Sequence, residues 1–301
     1  MAVDFETLLT VVFVVVDDWY QDYGQYLLQG KRGAKPTFSD SEVLTLLLCH
    51  DFIPFPGETQ FLGFIRANYQ GCFPALLSQS QFNRRARALR LVLEKLRQHW
   101  VHQLGATEQQ LLLLDAKPVP VVGYKRDKTH SAFRGSAAYG VCVSRKLHYF
   151  GFKLVALTTL DGLPVVFELV PANTDDRLAA ESVLVHVYGC DVFADKGFVG
   201  ETWQADQRDW HGNRIWTAKK KNQPDQNPKA FDQLLNSVRE RIEGVFNEVQ
   251  NTGRNVERLL AKTILGLCTQ IIAKMASHAL KLVLRRFYHI DVQTFEYLAV
   301  A

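Results

Sequence analysis

Three carboxylates stand where the chain gives a carboxylate chemistry to do. Asp115 closes an apolar run within Leu111–Val122, LLLLDAKPVPVV. Asp195 closes Asp191–Ala194 in VFADKGFVG, and Glu243 lies on the stretch Phe231 to Gln250, four residues after Arg239. An ionised carboxylate beside a core costs too much to stand alone, so Asp115 calls for a cation, a donor or a metal. Two of them also have a plain alternative: a solvated aspartate in the turn after a strand for Asp115, and a surface ion pair with Arg239 for Glu243. Taken together, three hard oxygen donors with no His or Cys beside them suit Mg²⁺ or Mn²⁺ rather than zinc. Two such ions roughly 3.5–4 Å apart would stabilise the attacking and leaving oxygens of an in-line displacement at phosphorus.

The elements that must hold these residues follow from pattern. Four leucines before Asp115 predict a central strand that Pro118 and Pro120 end by removing ladder donors. Gly123–Gly135, GYKRDKTHSAFRG, has no apolar period and is expected to be a loop whose Lys125, Arg126 and Lys128 contact phosphate, unless it is an ordinary solvated loop. Asp161-Gly162 between Leu147–Leu160 and Leu163–Val170 marks a hairpin. Asp175 or Asp176 should cap a helix from Arg177 to Tyr188, with a place lining the site as the second use of Asp176. The chain after Asp195 turns at a glycine, and Lys196 offers a phosphate partner. Arg214–Ala218 reads as a further strand, and Lys219, Lys220 and Lys221 as a solvated loop. The helix from Phe231 turns Leu235, Val238, Ile242, Val245 and Val249 to one face, with Arg239 and Glu243 at its border.

Residues 1–105 read as helices. Ser39 and Glu42 form a capping box, and a helix starting near Ser80 carries Asn83, Arg84, Arg85, Arg87, Arg90, Lys95 and Arg97. Gln81, Asn83, Arg84 and Arg85 suit base edges if the start of that helix enters the major groove, with Arg87 beside them; Arg90, Lys95 and Arg97 suit phosphate, and a charged bundle face is the alternative. From Gln110 the period changes to short strands, so the expected division is 1–105 helical and DNA-binding, 106–275 α/β and catalytic, and 276–301 a basic helical tail. A net charge of +4 over 301 residues means that an anionic partner must be met by local clustering. Five cysteines without a CxxC pair argue against a disulfide framework and for a reducing compartment. The run Leu8–Val16 is too short to span a bilayer and has acidic flanks, so no membrane partner and a cytoplasmic, nucleoid-associated location are expected.

Seven segments in order, KPTFSDSEVLTLLL (35–48), QFNRRARAL (81–89), LLLLDAKPVPV, LHYFGFKL (147–154), PANTDD (171–176), ADKGF (194–198) and RERIEGVF (239–246), resemble the DDE transposases of bacterial insertion sequences, most closely the group numbered nine-eight-two. The resemblance covers nearly the whole chain. It implies a ribonuclease-H-like mixed sheet flanked by helices with an all-α N-terminal DNA-binding domain. It also implies Asp115, Asp195 and Glu243 as catalytic triad and ligands of two Mg²⁺ or Mn²⁺ ions, with Arg239, Lys196 and Asp176 in support. Terminal inverted repeats and target DNA would be the partners, and a homodimer the form that pairs two ends. Related transposases often carry Tyr-x2-Arg-x3-Glu-x6-Lys around the glutamate. Here Arg239 and Glu243 match while Asn236 and Gln250 replace the Tyr and Lys, so handling of the end by that Lys does not carry over. A ribonuclease-H-like nuclease or resolvase without strand transfer would use the same carboxylates.

Overall fold

The computed structural model describes residues 3–28, 36–126, 128–142, 146–218, 227–251, 253–256 and 259–292. By contact the chain divides into two compact units, residues 1–100 with 249–301, and residues 101–248. The first unit opens with α1 (Phe5–Asp22), α2 (Asp40–Cys49), α3 (Glu58–Asn68) and α4 (Gln79–Gln103), which runs on into the second. The expected capping box forms: the Glu42 amide donates to Ser39 Oγ at 3.1 Å and the Ser39 amide to the Glu42 carboxylate, closing the first turn of α2.

The second unit is built on a mixed sheet of β1 (Leu111–Val122), β2 (Ala138–Cys142), β3 (Leu147–Thr159), β4 (Pro164–Pro171), β5 (Asp191–Ala194) and β6 (Arg214–Thr217), with α5 (Asp176–Leu184) and α6 (Glu201–His211) between strands and α7 (Lys229–Asn251) after them. The strand order is β2-β3-β1-β5-β6, with β4 also on β3. β3 runs antiparallel to β1, β2 and β4, whereas β1, β5 and β6 are mutually parallel. The two faces bury different sets. Leu112, Leu114, Val155, Leu157 and Val192 pack under α5 and α6. Leu113, Ala156 and Phe193 pack under Leu235 and Val238 of α7.

β1 does not end at its prolines; it continues through Pro118 and Pro120 to Val122, still paired with β3. Past Leu114 the β5 edge of β1 has no ladder partner among the described residues, and two prolines of the same parity leave their donorless nitrogens on that edge. A bulge between Pro120 and Val122 brings the strands so close that a Cβ at Gly151 would lie 2.1 Å from the Val119 carbonyl oxygen. The Asp161-Gly162 turn forms as expected, with Gly162 at φ +93° and its amide donating to the Thr159 carbonyl at 3.0 Å.

α8 (Ile264–Tyr288) begins inside the expected catalytic segment and runs through the expected boundary at 275/276, so the basic tail is the end of a long helix in the helical unit. It is apolar and long enough to cross a membrane by length and composition, yet 67% of the relevant window is buried in the protein. Its buried Lys274 explains where it belongs. Arg254 donates to the Asp51 carboxylate at 3.1 and 3.0 Å and to the Leu47 carbonyl at 2.7 Å, and the Lys274 ammonium lies 3.5 Å from the same carboxylate. All three are 2–3% exposed, so this ion cluster ties the chain after α7 and α8 itself to the end of α2.

Candidate active site

The register sets the site. Leu114 and Ala194 are the last parallel pair between β1 and β5, and the next residue on each strand is the aspartate expected there. Adjacent strands lie about 4.8 Å apart, so Asp115 and Asp195 stand side by side where the parallel ladder between β1 and β5 ends. Alternation sets the face: Asp115 shares that of Leu113, and Asp195, whose backbone remains extended, shares that of Phe193. This is the face covered by α7.

Asp115 is partly buried. Its Oδ1 accepts from the Ala116 amide at 2.7 Å, and its Oδ2 lies 3.8 Å from the Lys117 ammonium. Lys117 follows on the same face and is the nearby cation that the buried flank of Asp115 called for. Sequence reasoning passed over it, although a lysine two residues from the aspartate on one strand was visible. Asp195 is partly buried and opens a short 3-10 turn, Lys196–Phe198, in which the Phe198 amide donates to the Asp195 carbonyl at 3.0 Å. Lys196 is exposed beside it.

Glu243 and Arg239 lie on α7, the helix that covers this face; their side chains lie outside the described residues. Lys219, Lys220 and Lys221 also lie outside them. Among the described residues no three His, Cys, Asp or Glu side chains gather as a metal site. The two adjacent carboxylates are nonetheless a donor set of the right chemistry, anionic oxygens without soft ligands, and they fit a hard divalent cation.

Asp176 is placed elsewhere. Asp175, not Asp176, caps α5 by accepting from the Arg177 amide at 3.0 Å. The Asp176 carboxylate accepts from Lys153 Nζ at 2.6 Å, and Lys153 also donates to the Thr174 carbonyl at 2.7 Å. Lys153 pairs with Pro118 and so faces opposite to Asp115 and Lys117. Asp176 holds the start of α5 to β3 on the far face of the sheet. It approaches the Asp195 turn there, since a Cβ at Gly197 would lie 3.3 Å from its Oδ2.

Two of the proposed base-reading side chains on α4 have structural partners. Asn83 donates its amide to both oxygens of Glu58, at 3.0 and 2.9 Å, joining α4 to α3. Arg85 pairs with Asp40 and donates to the Phe38 carbonyl, joining α4 to the start of α2. Arg97, expected on phosphate, is 2% exposed and donates to Glu94 at 2.9 and 2.7 Å. Arg84 is exposed, Arg87 and Arg90 are partly buried, and the latter two donate to carbonyls of their own helix. Beyond β1, Tyr124, Lys125, Arg126 and Lys128 line a cleft of about 570 Å³, and the Lys128 ammonium sits over the Tyr139 ring at 5.3 Å.

Residues 105–283 match the family described as Transposase DDE domain, which is more than half of the chain, and the chain belongs to that family. No curated protein matches it significantly. Solved structures of Mos1 transposase show a slight likeness. The paired-end complex with left transposon end is 15% identical over 93% of this chain and 88% of that one, with a TM-score of 0.24. The strand transfer complex is 14% identical over 93% and 87%, with a TM-score of 0.22. At such scores the overlay defines nothing about the fold, and membership rests on the family match.

Proposed function

We propose that this chain is an insertion-sequence transposase that binds terminal inverted repeats and carries out metal-dependent strand cleavage and strand transfer, with Asp115, Asp195 and Glu243 as catalytic residues. The observation that supports it most is the register of β1 and β5. Two aspartates 80 positions apart in a DDE-family chain directly follow the last parallel pair of neighbouring strands, on one sheet face. An antiparallel arm followed by parallel strands, with a helix over the aspartate-bearing face, also suits a ribonuclease-H-like fold.

In this reading Asp115, Asp195 and Glu243 would hold two Mg²⁺ or Mn²⁺ ions. Bound there, such ions supply charge stabilisation to the attacking and leaving oxygens of an in-line displacement at phosphorus. The chain's own part is positioning. The Ala116 amide fixes one oxygen of Asp115. Lys117 neutralises the other when nothing else does, and Lys196, exposed in the turn after Asp195, meets a DNA phosphate. Arg239 orients Glu243 from one turn back on α7. The helical unit holds the DNA, with Arg84 toward bases and Arg87 near the backbone, while Lys125, Arg126 and Lys128 add phosphate contacts beyond β1. Transposon-end and target DNA are the partners, a homodimer pairs the ends, and the cytoplasm at the nucleoid is the place of action.

Gel assays with Mg²⁺ on DNA carrying the ends of the encoding element test this reading. Joined products are expected. Cut products without joining would favour a nuclease or resolvase, and a mobility shift with neither would contradict catalysis.

A further inference from the structure

The cleft beyond β1 has a composition that phosphate binding does not explain. Lys125, Arg126, Lys128 and Arg134 supply charge, but the wall between them is aromatic. Tyr139 and Phe150 pack edge to face with centroids 5.0 Å apart, and Tyr124 stands 5.7 Å from Tyr139 at 83°. Tyr139 is 55% exposed and Tyr124 49%, so neither ring is there to fill a core. Lys128 lies 5.3–5.8 Å from all three ring centroids, so the ring faces are presented to the cleft and already draw a cation. Duplex backbone is held by cations and hydrogen-bond donors and has no use for an exposed ring face, whereas half-exposed rings framed by cations suit an unstacked base and its flanking phosphates.

We propose that this cleft binds an unpaired nucleotide of single-stranded DNA, its base stacked on Tyr139 with the Tyr124 ring meeting it edge-on and its phosphates on Lys125, Arg126 and Arg134. The inference deepens the proposed DNA-processing function and rests on it for the source of the strand. β1 runs from Asp115 to Val122 directly into the cleft. At about 3.3 Å per residue this is roughly 23 Å. A single strand held at both places would span that distance between the reacting phosphate and the cleft.

The test uses the full chain, a labelled oligothymidylate single strand and a random-sequence duplex, each titrated at several salt concentrations. Tyr139→Ala should weaken single-strand binding about 5- to 160-fold, the range expected when one stacking ring is removed, and leave duplex binding unchanged. Tyr139→Phe should bind like the parent chain. Lys125→Ala with Arg126→Ala should weaken both DNAs and lower the single-strand salt slope by about 0.7 for each phosphate no longer neutralised. Tyr124→Ala, a change in the loop, repeats the test should Tyr139→Ala fail to give a cooperative thermal melt. Equal weakening on both DNAs, or single-strand binding unchanged in both tyrosine variants, would overturn the proposal. Neither result bears on Mg²⁺-dependent cutting at Asp115 and Asp195, so the two readings fail separately.

Discussion

At the scale of single residues, Asp115 has one oxygen on its neighbour's amide and the other 3.8 Å from a lysine. An ion pair that long and partly exposed contributes little to stability, so a divalent ion bound as proposed would displace Lys117 at small cost. From this, Lys117→Ala should lower the melting temperature by only a few degrees, since a partly exposed ion pair contributes up to about 1 kcal/mol. Its effect is expected in the metal dependence, with half-maximal Mg²⁺ for cleavage shifting to lower concentration. A titration of cleavage against Mg²⁺ reads this, and a shift upward would mean that Lys117 assists the site rather than competing with the metal. Ca²⁺ should support DNA binding without turnover, and zinc should substitute poorly at an all-oxygen site.

At the scale of elements, α4 has two working faces. Asn83 and Arg85 are spent on Glu58 and Asp40, so their removal should act on stability. Arg84 is exposed in the same turn. Arg85→Ala is therefore expected to lower the melting temperature with the ratio of terminal-repeat to random-DNA affinity unchanged. Arg84→Ala should lower that ratio by about 1–3 kcal/mol if a base contact is removed. Competition binding at fixed salt checks both; an unchanged ratio for Arg84→Ala would return α4 to scaffold. The same helix shows what sequence could tell. Its amphipathic period and basic content were plain, but which arginines point outward depends on Glu58 and Asp40, 25 and 45 residues away. The apolar runs that lead into Asp115 and Asp195, the hairpin at Gly162 and the cap of α2 were legible because each rests on neighbours in sequence. β2 and α6 were not, since β2 is a five-residue edge strand with Gly140 at its centre and α6 is mostly polar. The passage of β1 through its prolines was hidden because it depends on where β5 stops.

At the scale of the whole molecule, the helical unit is closed by ion pairs between segments more than 200 residues apart, Asp51 with Arg254 and Lys274. Burial pushes the Asp51 carboxyl up, but Arg254 and Lys274 outweigh it and hold it well below the ordinary carboxylate range. Its stabilising contribution is thus present above the unfolded value near 3.9 and is lost as pH falls through the folded one. Asp51→Asn leaves two buried cations without their carboxylate and should destabilise the helical unit by about 3–5 kcal/mol. Denaturant unfolding followed by circular dichroism would show it. Beside this cluster, burial first and Arg254 second hold the His50 imidazole neutral, down to about 3. It is stacked on Phe61 at 4.4 Å, with Nε2 2.8 Å from the Phe55 carbonyl oxygen. Between about 6.5 and 3 the unfolded chain binds the extra proton, so stability falls with pH by up to about 1.4 kcal/mol per unit. His50→Gln should remove that share of the slope between pH 6 and 4. A slope equal to that of the parent chain would mean that the ring is protonated in the folded state.

The central claim is that Asp115 and Asp195 act together on DNA, and it is tested most directly by Mg²⁺-dependent cleavage of end-bearing DNA at matched occupancy. Asp115→Asn and Asp195→Asn should each bind the ends with unchanged affinity and give no cleaved strand, with Glu243→Gln behaving alike. Cleavage by Asp195→Asn at the parent rate would contradict the account.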